Sequence, residues 1–418
     1  MKRPLFVLLA CIFVVMIGFG VVLPVLPFYV ERLALVGGAS RQSVVLHVGL
    51  LTAVYALMQL AFAPMWGRLS DRAGRRRLVL MGIGGYVIAQ ILFGLATSLW
   101  VLYAARVLGG ILSSAILPVS AAYVADSTTD EERGRGMAWL GTATSLGFVV
   151  GPALGGVLSR RDLHFTFRYG HFMIDSFSVP FFAAAGLGLL ALLAALRWLS
   201  ESRPAPARAA GDAEGAARSQ SFVGSLVPLL GLSLVGQFGL AVFEGTFPLY
   251  AQAKLNYGPA EMGAVFVVCG LVMAMFQVGA AGAFGGRLGE IGRIGVGFGA
   301  AGAGLVLLVT ARSRGLVFTF VGLQALGMAL ISPNLSALIS KCGGRRHVGR
   351  ALGAQNAANS LGQASGPLLG GALLLWQRNA PYLMTGILMV VVAVVIGWTA
   401  HAREGFAVRE AAARKGGA

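Results

Sequence analysis

An all-α polytopic membrane fold, with twelve transmembrane helices in two pseudo-symmetric six-helix bundles, is predicted by three features of this sequence. Mean hydropathy is +0.78, with 57% of residues hydrophobic and 12% charged, more apolar surface than a water-soluble core of 418 residues can bury. Apolar runs of about 20 residues, enough to cross about 30 Å of hydrocarbon as helix, recur along the whole chain. Two stretches 215 positions apart read almost as copies: RGMAWLGTATSLGFVVGPALGG from Arg135 to Gly156, and RALGAQNAANSLGQASGPLLGG from Arg350 to Gly371. Self-similarity at half the chain length, inside apolar helices, predicts two related bundles.

The predicted spans are 5–30, 44–66, 78–97, 99–123, 136–158 and 175–199 in the first half. In the second they are 222–250, 259–284, 294–311, 315–340, 350–375 and 381–400. The first opens on Met1-Lys2-Arg3 and imitates a signal peptide, with Leu8-Leu9-Ala10-Cys11 as a faint lipoprotein box. Its apolar run continues to Pro24 and Pro27, which makes an uncleaved span the expectation. The second and third spans flank a basic loop, the fourth carries Arg106, and the fifth holds the first copy of the repeat. Residues 200–221 (SESRPAPARAAGDAEGAARSQS) are the one clear composition break and are expected to form a flexible linker. The expected division is therefore a bundle over 1–199, the linker 200–221, a second bundle over 222–400 and a tail over 401–418.

A net charge of +17 would suit nucleic acid, but most Lys and Arg fall in alternate loops. That distribution instead follows the positive-inside rule and predicts both termini in the cytoplasm of a multi-pass inner-membrane protein. Cys11, Cys269 and Cys342 are too widely separated for a metal site, so neither a metal nor a disulfide framework is expected.

After the second span comes Gly67-Arg68-Leu69-Ser70-Asp71-Arg72-Ala73-Gly74-Arg75-Arg76-Arg77, with two glycines for turning, one acid and five cations. A shorter echo, Gly286-Arg287-Leu288-Gly289-Glu290-Ile291-Gly292-Arg293, stands at the matching place in the second half. Gly147, Gly151 and Gly155 recur every four residues and form a bare helix face for close packing, with Pro152 and Gly156 beside it. Gly362, Gly366, Gly370 and Pro367 repeat the arrangement.

These residues resemble the twelve-helix drug:proton antiporters of the major facilitator superfamily. The loop matches that superfamily's signature, and Gly147-x-x-x-Gly151-Pro152-x-x-Gly155-Gly156 matches its antiporter motif. Gly18-x5-Pro24-x-x-Pro27 and Leu102-x-x-x-Arg106-x-x-Gly109 match as well, while Tyr55-Ala56-Leu57-Met58-Gln59 resembles the tetracycline exporters. The resemblance implies alternating access, a conformational latch in Gly67, Asp71, Arg72, Gly74 and Arg75, pairing of that loop's arginines with Asp126, and proton coupling through Arg106. One departure stands out: tetracycline exporters carry an acid in the first helix where this chain has Val15, which counts against a metal-chelated tetracycline as substrate.

Read from the residues alone, Arg106 lies in an apolar helix where a cation costs about 2.5 to 3.5 kcal/mol on insertion scales, so it is expected to face the bundle interior beside an anionic or carbonyl partner, or to snorkel outward. Glu244 is the one acid well inside a predicted span. It suits proton exchange, binding of a cationic substrate or, if the span starts later, an interfacial position. Glu31 reads as a rim charge. Among the intramembrane polar residues, Asn356, Asn359 and Gln363 share one helical face and, with Tyr55, Gln59, Gln237 and Glu244, are candidates to line a substrate cavity. Nucleotide-binding and metal-spaced motifs are absent from the sequence, so an enzyme is not expected and no cofactor is called for. The expected partners are a small-molecule substrate, protons and the lipid bilayer, with the chain a monomer. The expected function is proton-coupled efflux of lipophilic molecules. The alternatives are an exporter of one endogenous metabolite (an antibiotic or siderophore), a proton-coupled importer, and a non-transporting membrane sensor.

Overall fold

A computed structural model describes residues 3–38, 40–159, 166–169, 172–202, 216–283 and 289–415. The first half comprises α1 (Arg3–Val36), α2 (Arg41–Ala73), α3 (Arg75–Gly94), α4 (Leu99–Leu112), α5 (Ile116–Ser127), α6 (Asp130–Leu158) and α7 (Val179–Trp198). A 3-10 turn over Ser113–Ala115 joins α4 to α5, which together make one span. The second half comprises α8 (Ala216–Leu255), α9 (Pro259–Ala283), α10 (Glu290–Leu308), α11 (Arg314–Trp376) and α12 (Ala380–Lys415).

Eleven helices among the described residues are long and apolar enough to span a membrane. The twelfth expected span, 350–375, is the second part of α11, and its Gln and Asn residues keep its hydropathy low. The Gly343-Gly344-Arg345-Arg346 run suggests a break before it, yet helical turns continue through the connection. A Gly costs only about 1 kcal/mol in a helix, and no Pro stands there to remove a hydrogen bond. Ile339 and Ala351 share a small buried cluster with Leu226, so the helical turns double back at this point. A short hairpin, β1 (Thr166–Tyr169) with β2 (Phe172–Asp175), lies between α6 and α7, where the sequence suggests only a loop. His164 and His171 of that loop lie outside the described residues.

The two halves repeat one another in packing detail. A Cβ added to Gly147 of α6 would meet the Phe13 carbonyl and Ile17 nitrogen of α1, and one added to Gly362 of α11 would meet the Leu234 carbonyl and Phe238 nitrogen of α8. Gly151 lies against Ile17 and Gly20, and Gly366 against Phe238 and Ala241. Missing side chains let each helix pair approach to backbone contact, the small-residue packing that operates where lipid tails compete for ordinary apolar surface.

The halves interlock at the end of the bundle remote from the chain termini. Gly156 of α6 packs on Gly263 of α9, where an added Cβ would stand 2.9 Å from the facing Cα, and Gly49 of α2 packs on the Pro367 carbonyl of α11, which an added Cβ would approach to 2.8 Å. At that end Gln252 of α8 also donates a hydrogen bond to Glu31 of α1 at 2.6 Å, so Glu31 ties the halves together instead of standing as a free rim charge. Toward the terminal end of the same helices, a Cβ on Gly67, Gly141 or Gly353 would meet nothing within 4 Å.

Candidate functional site

Arg106 and Glu244 are charges inside the spans, one in each half. Arg106 on α4 is 8% exposed. Its guanidinium lies 5.5 Å from the Tyr55 ring centre and 5.3 Å from that of Phe93, facing a cavity of about 20 Å³ that Gln90 and Ser113 also line. The anionic or carbonyl partner expected from the sequence is not there. Among the described residues no acid pairs with Arg106, and its Nε, the Tyr55 hydroxyl and Gln90 Oε1 all lack hydrogen-bond partners. Aromatic faces take the anion's place through their quadrupoles. Phe93 and Gln90 were missed because their relation to Arg106 depends on how α3 lies against α4. Arg106 does not snorkel.

Glu244 on α8 is partly exposed between the buried Phe243 and Phe247. Its neighbour Gly245 packs on Pro367 of α11. Glu244 therefore stands beside the seam between helices of the second half, well within the span rather than at an interface. Gln59 and Gln237 are half-buried, and Gln237 lies against Gly362. Asn356 is exposed while Asn359 and Gln363 are half-buried, so the polar face of α11 is accessible. Gln355, one turn before Asn359, is buried and donates to Ser233.

The basic loop closes a network at the terminal end. Gly74 adopts φ +95°, a conformation open to glycine, and turns the chain from α2 into α3. Arg75 pairs with Asp126 at 3.1 Å and with Asp71 at 2.6 Å, and also donates to Ser70. Asp126 is largely buried, while Asp71 is 62% exposed and Arg72 is exposed. Glu201, in the stretch expected to begin the linker, accepts from the Arg76 backbone N–H at 3.1 Å, and Tyr123 donates to the Ser200 carbonyl. Ser200 to Ser202 thus pack onto the first half. The sequence offers one hint of this: an acid at a composition break, within reach of the first turn of a basic helix. A cavity of about 550 Å³ lies beside this network, lined by Tyr123, Asp126, Trp139 and Glu201 and by neither Arg106 nor Glu244.

Two matched bundles, interlocked by glycine seams at one end and carrying unpaired charges within their spans, define a polytopic membrane transporter. The chain belongs to the Major Facilitator Superfamily, whose sequence profile matches residues 8–313 and 280–417. It is 30% identical over 399 residues to Multidrug resistance protein 2 of Bacillus subtilis, covering 93% of each chain. It is also 26% identical to the Quinolone resistance protein NorA of Staphylococcus aureus, covering 95% of this chain and 96% of the relative. The fold matches the human organic anion transporter MFSD10 with TM-score 0.69 at 22% identity, covering 94% of this chain and 99% of that one. It matches a peptide transporter with TM-score 0.78 at 15% identity, covering 96% and 94%.

Proposed function

We propose that this protein exports lipophilic small molecules, drugs among them, across the inner membrane in exchange for protons, by alternating access. The observation that carries the reading is Glu244: an acid inside a span, partly exposed, with no ion pair among the described residues, in a chain alike over nearly its full length to multidrug resistance proteins. With the termini in the cytoplasm, the seam at the remote end seals the outer face and the arrangement corresponds to an inward-open state. Substrate enters from the inner side and the Glu244 carboxyl gives up its proton to the cytoplasm. After the halves rock, a proton from outside binds a Glu244 oxygen and the substrate leaves. Arg106, held by Tyr55 and Phe93, sets a fixed positive field in the facing half, and Asn356, Asn359 and Gln363 offer adaptable hydrogen bonds to varied substrates. Asp71, Arg72 and Arg75 act as a latch for the outward-open state.

Ethidium efflux from energised cells, wild type against Glu244→Gln, tests this. Loss of efflux with unchanged membrane abundance is expected. Efflux of Glu244→Gln at the wild-type rate removes Glu244 from the mechanism, and no resistance to any compound in a broad drug panel leaves the dedicated metabolite exporter.

A further inference from the structure

The two halves are in register through α3, α4 and α5 on one side and α10 and α11 on the other. A Cβ on Gly82 of α3 would meet Ile116 Cγ1 at 2.7 Å, and a Cβ on Gly297 of α10 would meet Ile331 Cγ1 at 2.9 Å. Both members of the second contact lie 215 positions beyond those of the first, the same offset as the sequence repeat. That register corrects the alignment suggested by the loop echo, which sets Arg75 against Arg293. The geometry sets Arg75, the first residue of α3, against Glu290, the first residue of α10.

The same offset carries Asp126 to Lys341. Arg75 pairs with Asp126 at 3.1 Å, and Glu290 pairs with Lys341 at 2.7 Å. The same two structural positions are thus joined by an ion pair in both halves, with the charges exchanged. In sequence the exchange continues into the corners that follow, where Asp130, Glu131 and Glu132 stand at the positions of Arg345, Arg346 and His347.

We propose that Glu290 and Lys341 are positioning residues for transport: a second clasp, the charge-inverted counterpart of Arg75 and Asp126, whose inverted polarity lets the acidic corner between α5 and α6 dock on the basic corner after Lys341 when the terminal-end mouth closes. The inference rests on the alternating-access reading above. A pseudo-twofold axis between the halves brings equivalent residues toward one another as the mouth shuts. Equivalent residues of like charge would then repel, whereas Asp126 facing Lys341 and Glu132 facing the basic corner attract. In the structure the Lys341 side chain is 69% exposed and able to reach toward the opposite half, while Glu290, 21% exposed, anchors it at the start of α10. The first-half clasp, 10% and 12% exposed, has no such freedom. It holds its corner rigid, and the exposed partner does the reaching.

Charge swapping separates a clasp from a mere surface pair. Glu290→Lys and Lys341→Glu each break the pair, and combining them restores it while giving both halves the same polarity. In the combined variant the melting temperature is expected to return to that of the parent while ethidium efflux stays lower by at least about tenfold, because Glu at 341 now faces Asp126. A second measurement does not depend on any substrate. Ser127→Cys creates a thiol at the position equivalent to native Cys342, which is exposed while Cys11 and Cys269 are buried. With a protease site placed in the linker, a bismaleimide crosslink between 127 and 342 holds the two fragments together. Crosslinking is expected in the parent and several-fold less in the charge-swapped variant. Full efflux and undiminished crosslinking in that variant, or no crosslink in the parent, overturns the proposal. If the parent crosslinks as expected but moves no ethidium, the efflux reading fails while the docking of the corners stands.

Discussion

The first and second halves share their packing and differ in their charges. Gly147 against Phe13 and Ile17 is matched atom for atom by Gly362 against Leu234 and Phe238, yet the intramembrane charge is Arg106 on α4 in one half and Glu244 on α8 in the other. Neither has a charged equivalent: Val321 stands opposite Arg106 at the common offset, and Leu23 stands opposite Glu244 in the register set by the glycine seams. The clasps diverge likewise, one buried and bonded to three side chains, the other single and with an exposed lysine. Backbone contact constrains a seam tightly, because a methyl group has nowhere to go, whereas a charge needs only a suitable environment. Duplication has therefore preserved the mechanical frame, and the chemistry has become asymmetric.

The largest expected effect comes from breaking that frame. Gly151→Leu drives a side chain into the Ile17 carbonyl, and Gly366→Leu into Ala241 and the Phe238 carbonyl. Each is expected to cost more than the about 1 to 3 kcal/mol of ordinary overpacking, because backbone cannot yield, and to abolish monodisperse protein in detergent chromatography. Equal loss in both would show that the seams are mechanically equivalent. One variant behaving as wild type would break the comparison.

The clasps come next. Asp126→Asn removes one of the two carboxylates that hold Arg75, leaving Asp71 and Ser70, and is expected to lower stability by about 1.5 to 3 kcal/mol. Glu290→Gln, in a pair whose lysine is exposed, should cost about 1 kcal/mol or less, and thermal unfolding of the two purified variants checks the ratio. Arg106→Met sharpens the contrast from the other side. Removing a buried cation that lacks an anionic partner is expected to raise stability by about 1 to 4 kcal/mol while abolishing efflux. Arg106→Lys should not rescue efflux, because a compact ammonium cannot stack on Tyr55 and Phe93 as a planar guanidinium does. The smallest effect is expected from Glu31→Ala, whose single hydrogen bond from Gln252 water can replace. Faster hydrogen exchange at the ends of α1 and α8 would register that loosening.

Spans, the duplication and the glycine faces could be read directly from the residues. Apolar length and an i, i+4 recurrence are one-dimensional patterns, and a missing Cβ means the same wherever the helix lies. The acid at 244 and the arginine at 106 stood out because charge is rare in such runs. Their surroundings were not legible: Gln90 and Phe93 come from another helix, and a ring offers no sequence signal that it will stand in for an anion. Glu201 was hidden in a stretch whose composition resembles a linker, and Glu31 looked like a rim charge because Gln252 lies in the other half.

What the amino-acid sequence determined by itself was the helical kind and approximate places of the spans, since hydrocarbon demands satisfied backbone hydrogen bonds and so admits helices of sufficient apolar length. Only the tertiary structure decided which end of the bundle is sealed, that Arg75 corresponds to Glu290, and that Lys341 answers Asp126 with the opposite charge. Those relations depend on the axial register between helices far apart in the chain, and register is fixed by side-chain packing summed across whole interfaces, which local sequence does not encode.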